Sequence, residues 1–360
     1  MRSPARSRIA ASIVAASMAA LMLVVSPGWG QGIQVAPGEQ GRLRADRVRY
    51  DARDQVFVAE GNVLLTIGRL EIRAVRLRLE QRTQVAHASG GVMVRQGDLG
   101  LNAAEATYEI RSRFVRASGG VVLMQKDVTV RAPQATFSLS TQTLAASGGV
   151  TILQGRSALS GRTLVADLVA RRALVEGEGE LVRAAAGPIG PGADSHGTFL
   201  SRQTVIRAPR MSLRWEPDEA EASGGVRVLQ GDRVVRAERA HYVEAAGQLE
   251  LLGQVTVEQF GEGPSLTGAR LTARRLLINT RDGGMEAHSE VSVTQRGRTA
   301  IGERAVYRER EQQITVTGRV QMTDEDGNTV RADRVVISLS EDTFEASGNV
   351  ETVFKVKPGK

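Results

Sequence analysis

The 360-residue sequence contains no cysteine. Disulfides, thiolate metal sites and thiol nucleophiles are therefore excluded, and stability must come from packing. An excess of charge is also lacking, because the net charge of +7 falls to +4 without the three arginines of residues 1–30, a segment that holds no acid. So small a surplus argues against nucleic acid as a partner.

Residues that usually carry chemistry are few and scattered. The four histidines lack the spacing of metal ligands, and no nucleophile elbow, phosphate loop or zinc helix occurs. The aspartates do not recur at one position of neighbouring units, as the acids of a polysaccharide-cleaving β-helix would. We therefore predict a protein that is not an enzyme and that has no metal site and no cofactor. A β-helix polysaccharide enzyme remains an alternative, since acids distant in sequence can still meet on one face.

Long apolar runs are absent except near the N-terminus. Arg2, Arg6 and Arg8 precede the apolar run 9–25, which is followed by Pro27 and by small residues up to Gly30. This order is typical of a secretory signal. We predict a signal helix in residues 1–30, cleaved after Gly30, so that the rest lies outside the cytoplasm. An uncleaved inner-membrane anchor is the alternative, because a run of about 17 apolar residues approaches the length of a membrane span.

A 29-residue repeat dominates the remaining sequence. Alanines recur at this spacing in Ala45, Ala74, Ala103 and Ala132, and the spacing returns in Ala208 and Ala237. Such a period indicates units that bury their apolar faces only by stacking on one another. Function is therefore expected in an elongated surface.

Each unit predicts a bent β-hairpin. Counted from the repeat alanine as position zero, inward apolar residues are predicted at positions 0, 5, 12, 18 and 20. A skip of three after the alanine predicts a bulge or corner. Position 16 is glycine in eight units, and parity predicts that it points inward, as a notch at a sharp bend. These glycines are Gly61, Gly90, Gly119, Gly148, Gly224, Gly253, Gly318 and Gly348.

Two arrays are predicted on either side of an irregular segment. Residues 184–203, rich in glycine and proline, interrupt the register and indicate a linker or an enlarged loop. We predict one β-array at 40–183 and a second at 204–357, which either remain separate or form one continuous sheet.

All four tyrosines occupy position 5 of their units: Tyr50, Tyr108, Tyr242 and Tyr307. Such a row is compatible with the lining of a lipid channel. It is equally compatible with ordinary packing, since any stacked core places similar residues at one repeat position.

The recurring phrases resemble a known family. "Arg-Ala-Asp-Arg-Val-x-Tyr" and "Ala-Glu-Gly-Asn-Val" in 44–63, echoed by "Arg-Ala-Asp-Arg-Val" and "Ala-Ser-Gly-Asn-Val" near the C-terminus, resemble the OstA-like or LptA family. These are periplasmic lipopolysaccharide-transport proteins related to LptC and to the N-terminal domain of the outer-membrane translocon. The resemblance covers roughly 40–357. It implies an all-β, V-shaped antiparallel β-jellyroll with two sheets, here about ten 29-residue units.

The resemblance also implies a function. The chain would be a periplasmic bridge that shields lipopolysaccharide, or a related glycolipid, during transport to the outer membrane, without bond chemistry. Its partners would be the jellyroll domains of inner- and outer-membrane transport components, or further copies joined head to tail through the edges at 48–50 and 350–356. A parallel β-helix adhesin or surface structural protein is the alternative. The residues expected to line the lipid groove are Tyr50, Val63, Leu79, Val92, Tyr108, Val121, Phe137, Val150, Leu213, Val226, Tyr242 and Val255.

Overall fold

A computed structural model describes residues 41–184, 203–258 and 269–355, apart from 127, 156, 216, 217, 232, 244 and 342. These residues form 22 β-strands. Within these ranges no helix is long and apolar enough to cross a membrane. The all-β prediction is confirmed, whereas the predicted signal helix and most of the predicted linker 184–203 lie outside the described residues.

The strands are of similar length in both halves of the chain. The first eleven are β1 (Gly41–Arg44), β2 (Arg47–Asp51), β3 (Val56–Ile67), β4 (Leu70–Glu80), β5 (Val85–Gln96), β6 (Leu99–Glu109), β7 (Phe114–Gln125), β8 (Val128–Ser138), β9 (Thr143–Gln154), β10 (Ser157–Asp167) and β11 (Arg172–Arg183). The others are β12 (Thr204–Trp215), β13 (Asp218–Gln230), β14 (Arg233–Val243), β15 (Gln248–Glu258), β16 (Arg270–Asn279), β17 (Met285–Gln295), β18 (Arg298–Arg308), β19 (Gln313–Thr323), β20 (Thr329–Ser338), β21 (Phe344–Ser347) and β22 (Glu351–Val353).

The chain divides into two compact units. Unit 1 comprises Met1–Gly179 with Ser212–Asp218, and unit 2 comprises Glu180–Met211 with Glu219–Lys360. From β3 to β10 in unit 1 and from β14 to β20 in unit 2, each strand pairs antiparallel with the next. The antiparallel pairing excludes a parallel β-helix, and with it the adhesin and polysaccharide-enzyme alternatives built on that fold. The predicted array boundaries stay a prediction.

A bulge interrupts each of these strand pairs near its middle. Between β3 and β4, Gly61 and Asn62 both lie opposite Val75, because pairing jumps from Glu60↔Arg76 to Val63↔Ala74. Both bulge residues are left-handed, with φ of 75° at Gly61 and 47° at Asn62. A bulge of two residues opposite one interrupts the ladder of backbone hydrogen bonds and bends the strand. We call the line of bulges the seam.

The seam separates two arms. The A arm contains the strand segments that meet at turns such as 68–69, and the B arm contains those that meet at turns such as 81–84. The B-arm turns are stacked by backbone hydrogen bonds, from Gln81 N–H to the Gln55 carbonyl and from Ile110 N–H to the Gln84 carbonyl, both 2.9 Å. Gln55 and Gln84 are left-handed non-glycine residues. The ladder therefore continues through the turns.

The position-16 glycines do not point inward, so that prediction is wrong. A Cβ on Gly119 would lie 2.5 Å from the Ala104 Cβ, and one on Gly90 would lie 2.7 Å from the Val75 Cβ. The Val75 side chain is 53% exposed, so this contact is on the outer face. Counting parity along the strand failed because the left-handed bulge residues reverse which face the chain presents. The glycines allow two backbones to approach at the outer seam.

The inward positions 0, 12, 18 and 20 are confirmed for the inner strands of the array. In unit 1, Ala74, Ala86, Val92 and Val94 occupy positions 0, 12, 18 and 20 of one repeat and are all buried. The described part of each unit is a single sheet folded at the seam, and both arms bury the same face of that sheet. The inner face of one arm therefore packs against the inner face of the other.

Candidate functional site

The candidate site is the apolar interior between the two arms, which is built from rows that cross consecutive strands. In the B arm of unit 1, cross-strand pairing places side chains in one continuous row, which runs through Tyr50, Phe57, Leu79, Ala86, Tyr108, Val115, Phe137 and Leu144. The period-two strand pattern puts each of these residues on the same face. Unit 2 has its own B-arm row, through Tyr242, Leu249, Ile278, Met285, Tyr307, Ile314, Ile337 and Phe344.

Most residues predicted to line a groove lie in this interior. The buried ones are Val63, Val92, Tyr108, Val121, Phe137, Val150, Val226 and Val255. Three others, Leu79, Leu213 and Tyr242, are only half-buried. Cross-strand pairing brings Tyr108 and Phe137 to opposite sides of Val115.

The prediction that Tyr50 is an inward residue is wrong, because its side chain is 46% exposed. It lies on β2, which pairs with β3 and is the outermost strand of the described residues in unit 1. The ring packs on Phe57 with centroids 4.5 Å apart, and its hydroxyl donates to Gln81 Oε1 at 3.1 Å. The repeat position is therefore kept, but no further strand of the described residues covers it.

Half of the twelve large apolar side chains that are exposed in the described structure lie at the two ends of the strand arrays. Besides Tyr50, β2 exposes Val48, and the β21–β22 end exposes Phe344, Val353 and Phe354. A small cavity opens at this second end between A-arm residues Ala300 and Met322 and B-arm residues Ile337 and Phe344. The interior of unit 2 is thus accessible at the end of its row.

The ends of the arms that lie farthest from the seam carry a polar rim, which the repeat analysis missed. A glutamine recurs at position 22 of five units, as the last residue of its strand before an A-arm turn: Gln96, Gln125, Gln154, Gln230 and Gln295. Three of the five, Gln125, Gln230 and Gln295, are buried. Gln295 Nε2 donates to the Leu339 carbonyl at 3.3 Å. Because Leu339 follows β20 at a B-arm turn, this bond joins the two arms of unit 2.

Charged groups are concentrated on the outer face. The hydrogen bond from Arg304, at 2.7 Å, lowers the pKa of Glu286, and a hydrogen bond from Arg236 likewise lowers the pKa of Glu258. These carboxylates are therefore ionised at neutral pH, on the side away from the apolar rows. No group of three metal-binding side chains occurs among the described residues. The interior as described offers apolar contact and a polar rim, which suit binding of an amphiphile.

Comparison with known proteins points to one family. Residues 205–343 match the family model of the LptA/(LptD N-terminal domain) LPS transport protein. A solved structure that resembles the chain is LptH from Pseudomonas aeruginosa, described as the LptA homologous periplasmic component of the conserved lipopolysaccharide transport device. It is 18% identical, with 30% of this chain and 82% of that chain covered and a TM-score of 0.29. No curated protein matches this chain.

Proposed function

We propose that the chain is a periplasmic lipopolysaccharide-transport protein that shields acyl chains between its arms. Residues 205–343 match the family model of the LptA/(LptD N-terminal domain) LPS transport protein, and the sequence motifs resemble the same family. The sugars and phosphates of the glycolipid remain in water at the rim. Such transport requires no bond to be made or broken.

The apolar interior rows are the observation that carries this proposal. Each unit has a row that continues across many strands without a charged residue, from Phe57 to Leu144 in unit 1 and from Leu249 to Phe344 in unit 2. An acyl chain transferred from water onto such a row gains about 0.8 kcal/mol per buried methylene. Because no charged residue interrupts the row, an acyl chain can move along it without leaving apolar surroundings.

Loading requires the arms to separate, since their inner faces pack on each other in the structure. The seam provides the hinge, because the ladder is interrupted at the same place in successive strand pairs. Many inner residues near the seam are small, including Ala74, Ala88, Ala103 and Ala117. When the arms separate, these alanines expose less apolar area to water than larger side chains would. The closed state is therefore less strongly favoured near the seam.

Photo-crosslinking tests the proposal. We expect photo-reactive residues at Val121 and Phe137 to capture lipopolysaccharide when the protein is expressed in a Gram-negative host. The same residues at Met93 and Met124 should capture little, because these side chains, although apolar, are 40% and 42% exposed on the outer face. The products are identified by mass spectrometry. Equal capture by both pairs would show that lipid adheres to any apolar residue and does not enter the interior.

We propose that a second copy of the chain docks edge to edge. The described edge strands expose unpaired backbone at β1–β2 and at β21–β22, and such edges readily accept an added strand. Their charges are complementary. The N-terminal edge, residues 41–51, has four exposed arginines, Arg42, Arg44, Arg47 and Arg49, and two aspartates, Asp46 and Asp51. The C-terminal edge strands β21 and β22 have Glu345 and Glu351 and no basic residue. Head-to-tail docking brings these opposite charges together.

Reversing charge at the C-terminal edge should weaken self-association. Glu345→Lys with Glu351→Lys places positive charge opposite the arginines of β1 and β2, so we expect the dissociation constant to rise about tenfold at low salt. The measurement is sedimentation equilibrium. Glu105→Lys with Glu221→Lys, on strands within the array, is the matched control. Association that is unchanged by the edge pair, or equally weakened by the control pair, would contradict docking through this edge.

A further inference from the structure

Two methionines are exposed on the outer face of unit 1. Met93 of β5 and Met124 of β7 are 40% and 42% exposed, whereas Met211, Met285 and Met322 are only 4%, 3% and 4% exposed. Cysteine and methionine are the residues whose sulfur takes up oxygen from mild oxidants, and this sequence has no cysteine. The two exposed thioethers are therefore the sulfur atoms of the described residues that an oxidant in solution reaches most readily.

Both exposed methionines belong to the A arm and have polar neighbours across the sheet. Pairing places Met93 between Arg73 of β4 and Asn102 of β6, and it places Met124 beside Thr129 of β8. These neighbours have N–H or O–H groups that can donate a hydrogen bond to an oxygen on the adjacent sulfur. The surroundings of both methionines are therefore compatible with a polar group.

The repeat shows which positions of the sheet accept a polar side chain. Met93 and Met124 occupy positions 19 and 21 of their units, where unit 2 has polar residues such as Thr256, Ser292 and Gln321 at position 19, and Glu258, Thr294 and Thr323 at position 21. Met285 instead occupies position 12, which in the other units is apolar: Phe57, Ala86, Val115, Leu144, Ala220, Leu249, Ile314 and Phe344. An added oxygen therefore suits the fold at Met93 and Met124 but not at Met285.

We propose that Met93 and Met124 form a reversible oxidation site, at which hydrogen peroxide converts each thioether to a sulfoxide without unfolding unit 1. The O–O bond of the peroxide breaks, one oxygen becomes bonded to the sulfur, which is oxidised by two electrons, and the other oxygen leaves as water. The product is polar, so this part of the outer face changes from apolar to polar. Methionine sulfoxide reductases restore the thioether, one enzyme for each epimer.

Oxidation of the full chain by hydrogen peroxide, followed by peptide mass spectrometry, tests the proposal. Met93 and Met124 should be converted about tenfold faster than Met211, Met285 and Met322, because buried sulfur reacts only when the structure opens. In guanidinium chloride these methionines should all react at similar rates, since the fold no longer shields any of them. Equal rates in the native protein would overturn the site.

The stability of the oxidised protein tests whether the sheet accommodates the sulfoxides. Protein oxidised at Met93 and Met124 should keep its circular dichroism spectrum and its midpoint of guanidinium denaturation. Met93→Gln with Met124→Gln, which places a polar group at both positions, should also keep the midpoint. Met285→Gln is the matched control and should lower the midpoint, because its amide would be buried in the apolar row between Ile278 and Tyr307.

Two further measurements complete the test. The two classes of reductase together should restore the original mass of the oxidised peptides, and sulfoxides that they do not remove would overturn reversibility. Met93→Leu with Met124→Leu keeps the apolar surface without sulfur, so the fast phase of oxygen uptake by the native protein should shrink. An undiminished fast phase, or a lower midpoint after oxidation of Met93 and Met124, would overturn the proposal. The site lies outside the interior, so these results are independent of acyl shielding.

Discussion

Replacement of Gly119 by alanine should destabilise unit 1 by about 3 kcal/mol or more, from left-handed strain combined with overpacking. Gly119 has a φ of 80°, and its added Cβ would lie 2.5 Å from the Ala104 Cβ across the seam. Gly120 is the matched control, because it has the same φ of 80° but open space around an added Cβ. Gly120→Ala should therefore cost only the backbone strain, about 1–2 kcal/mol.

Guanidinium denaturation of both variants measures the difference. The midpoint should fall further for Gly119→Ala, with an unchanged slope if the denatured states are alike. Equal losses would mean that the backbone conformation alone requires glycine and that the close approach of strands at the seam contributes nothing.

The second large effect is expected in the interior of unit 2. Leu251 is fully buried on β15, where pairing places it between Ala240 of β14 and Leu276 of β16. Leu251→Ala removes buried methyl groups and leaves a cavity, so we expect a loss of about 2–5 kcal/mol. Ile301→Ala in the same unit removes a side chain that is 54% exposed and should change stability by about 0.5 kcal/mol at most.

Thermal and chemical unfolding monitored by circular dichroism compare these two variants. The affinity of each variant for an amphiphile is a second measurement, because the cavity left by Leu251→Ala lies beside the inner row and offers space for an apolar tail. A Leu251→Ala protein as stable as Ile301→Ala would show that the arms are not packed against each other at β15.

Much of this architecture could be predicted from the repeat itself. Alternation by two assigns strands, and the skip of three after Ala74 or Ala103 predicts the bulge, because both patterns depend only on neighbours along one strand. The rows of Val63, Val92 and Val121 followed from the same register. The family motifs then identified the fold, since phrases such as "Ala-Ser-Gly-Asn-Val" combine the seam glycine with the flanking inner positions.

Other features depended on information that lies outside a single strand. The direction of Gly119 required knowledge that the bulge residues are left-handed, and the exposure of Tyr50 required its place at an edge. The glutamine rim was visible as a recurring residue, yet a polar side chain at a strand end is ordinarily assigned to solvent. Arg233 and Glu309 stand at unrelated positions of different repeat units, so their ion pair becomes visible only when the two arms are seen to face each other.

The paired side chains at the seam also bear on how so repetitive a chain folds in the right order. Arg274 bonds Glu290 at 2.8 Å between β16 and β17, whereas between β18 and β19 the order of the charges is reversed, with Glu303 bonded to Arg319 at 2.6 Å. β17 and β18 are neighbours with the same kind of bulge, so Glu290 lies opposite Glu303 at the seam, and each carboxylate is compensated by the arginine of the strand on its other side. Near-identical hairpins can exchange partners within a chain or between copies. An exchange that separated Glu290 from Arg274, or Glu303 from Arg319, would leave the two carboxylates together without an arginine, so the outer seam helps to distinguish one hairpin from the next.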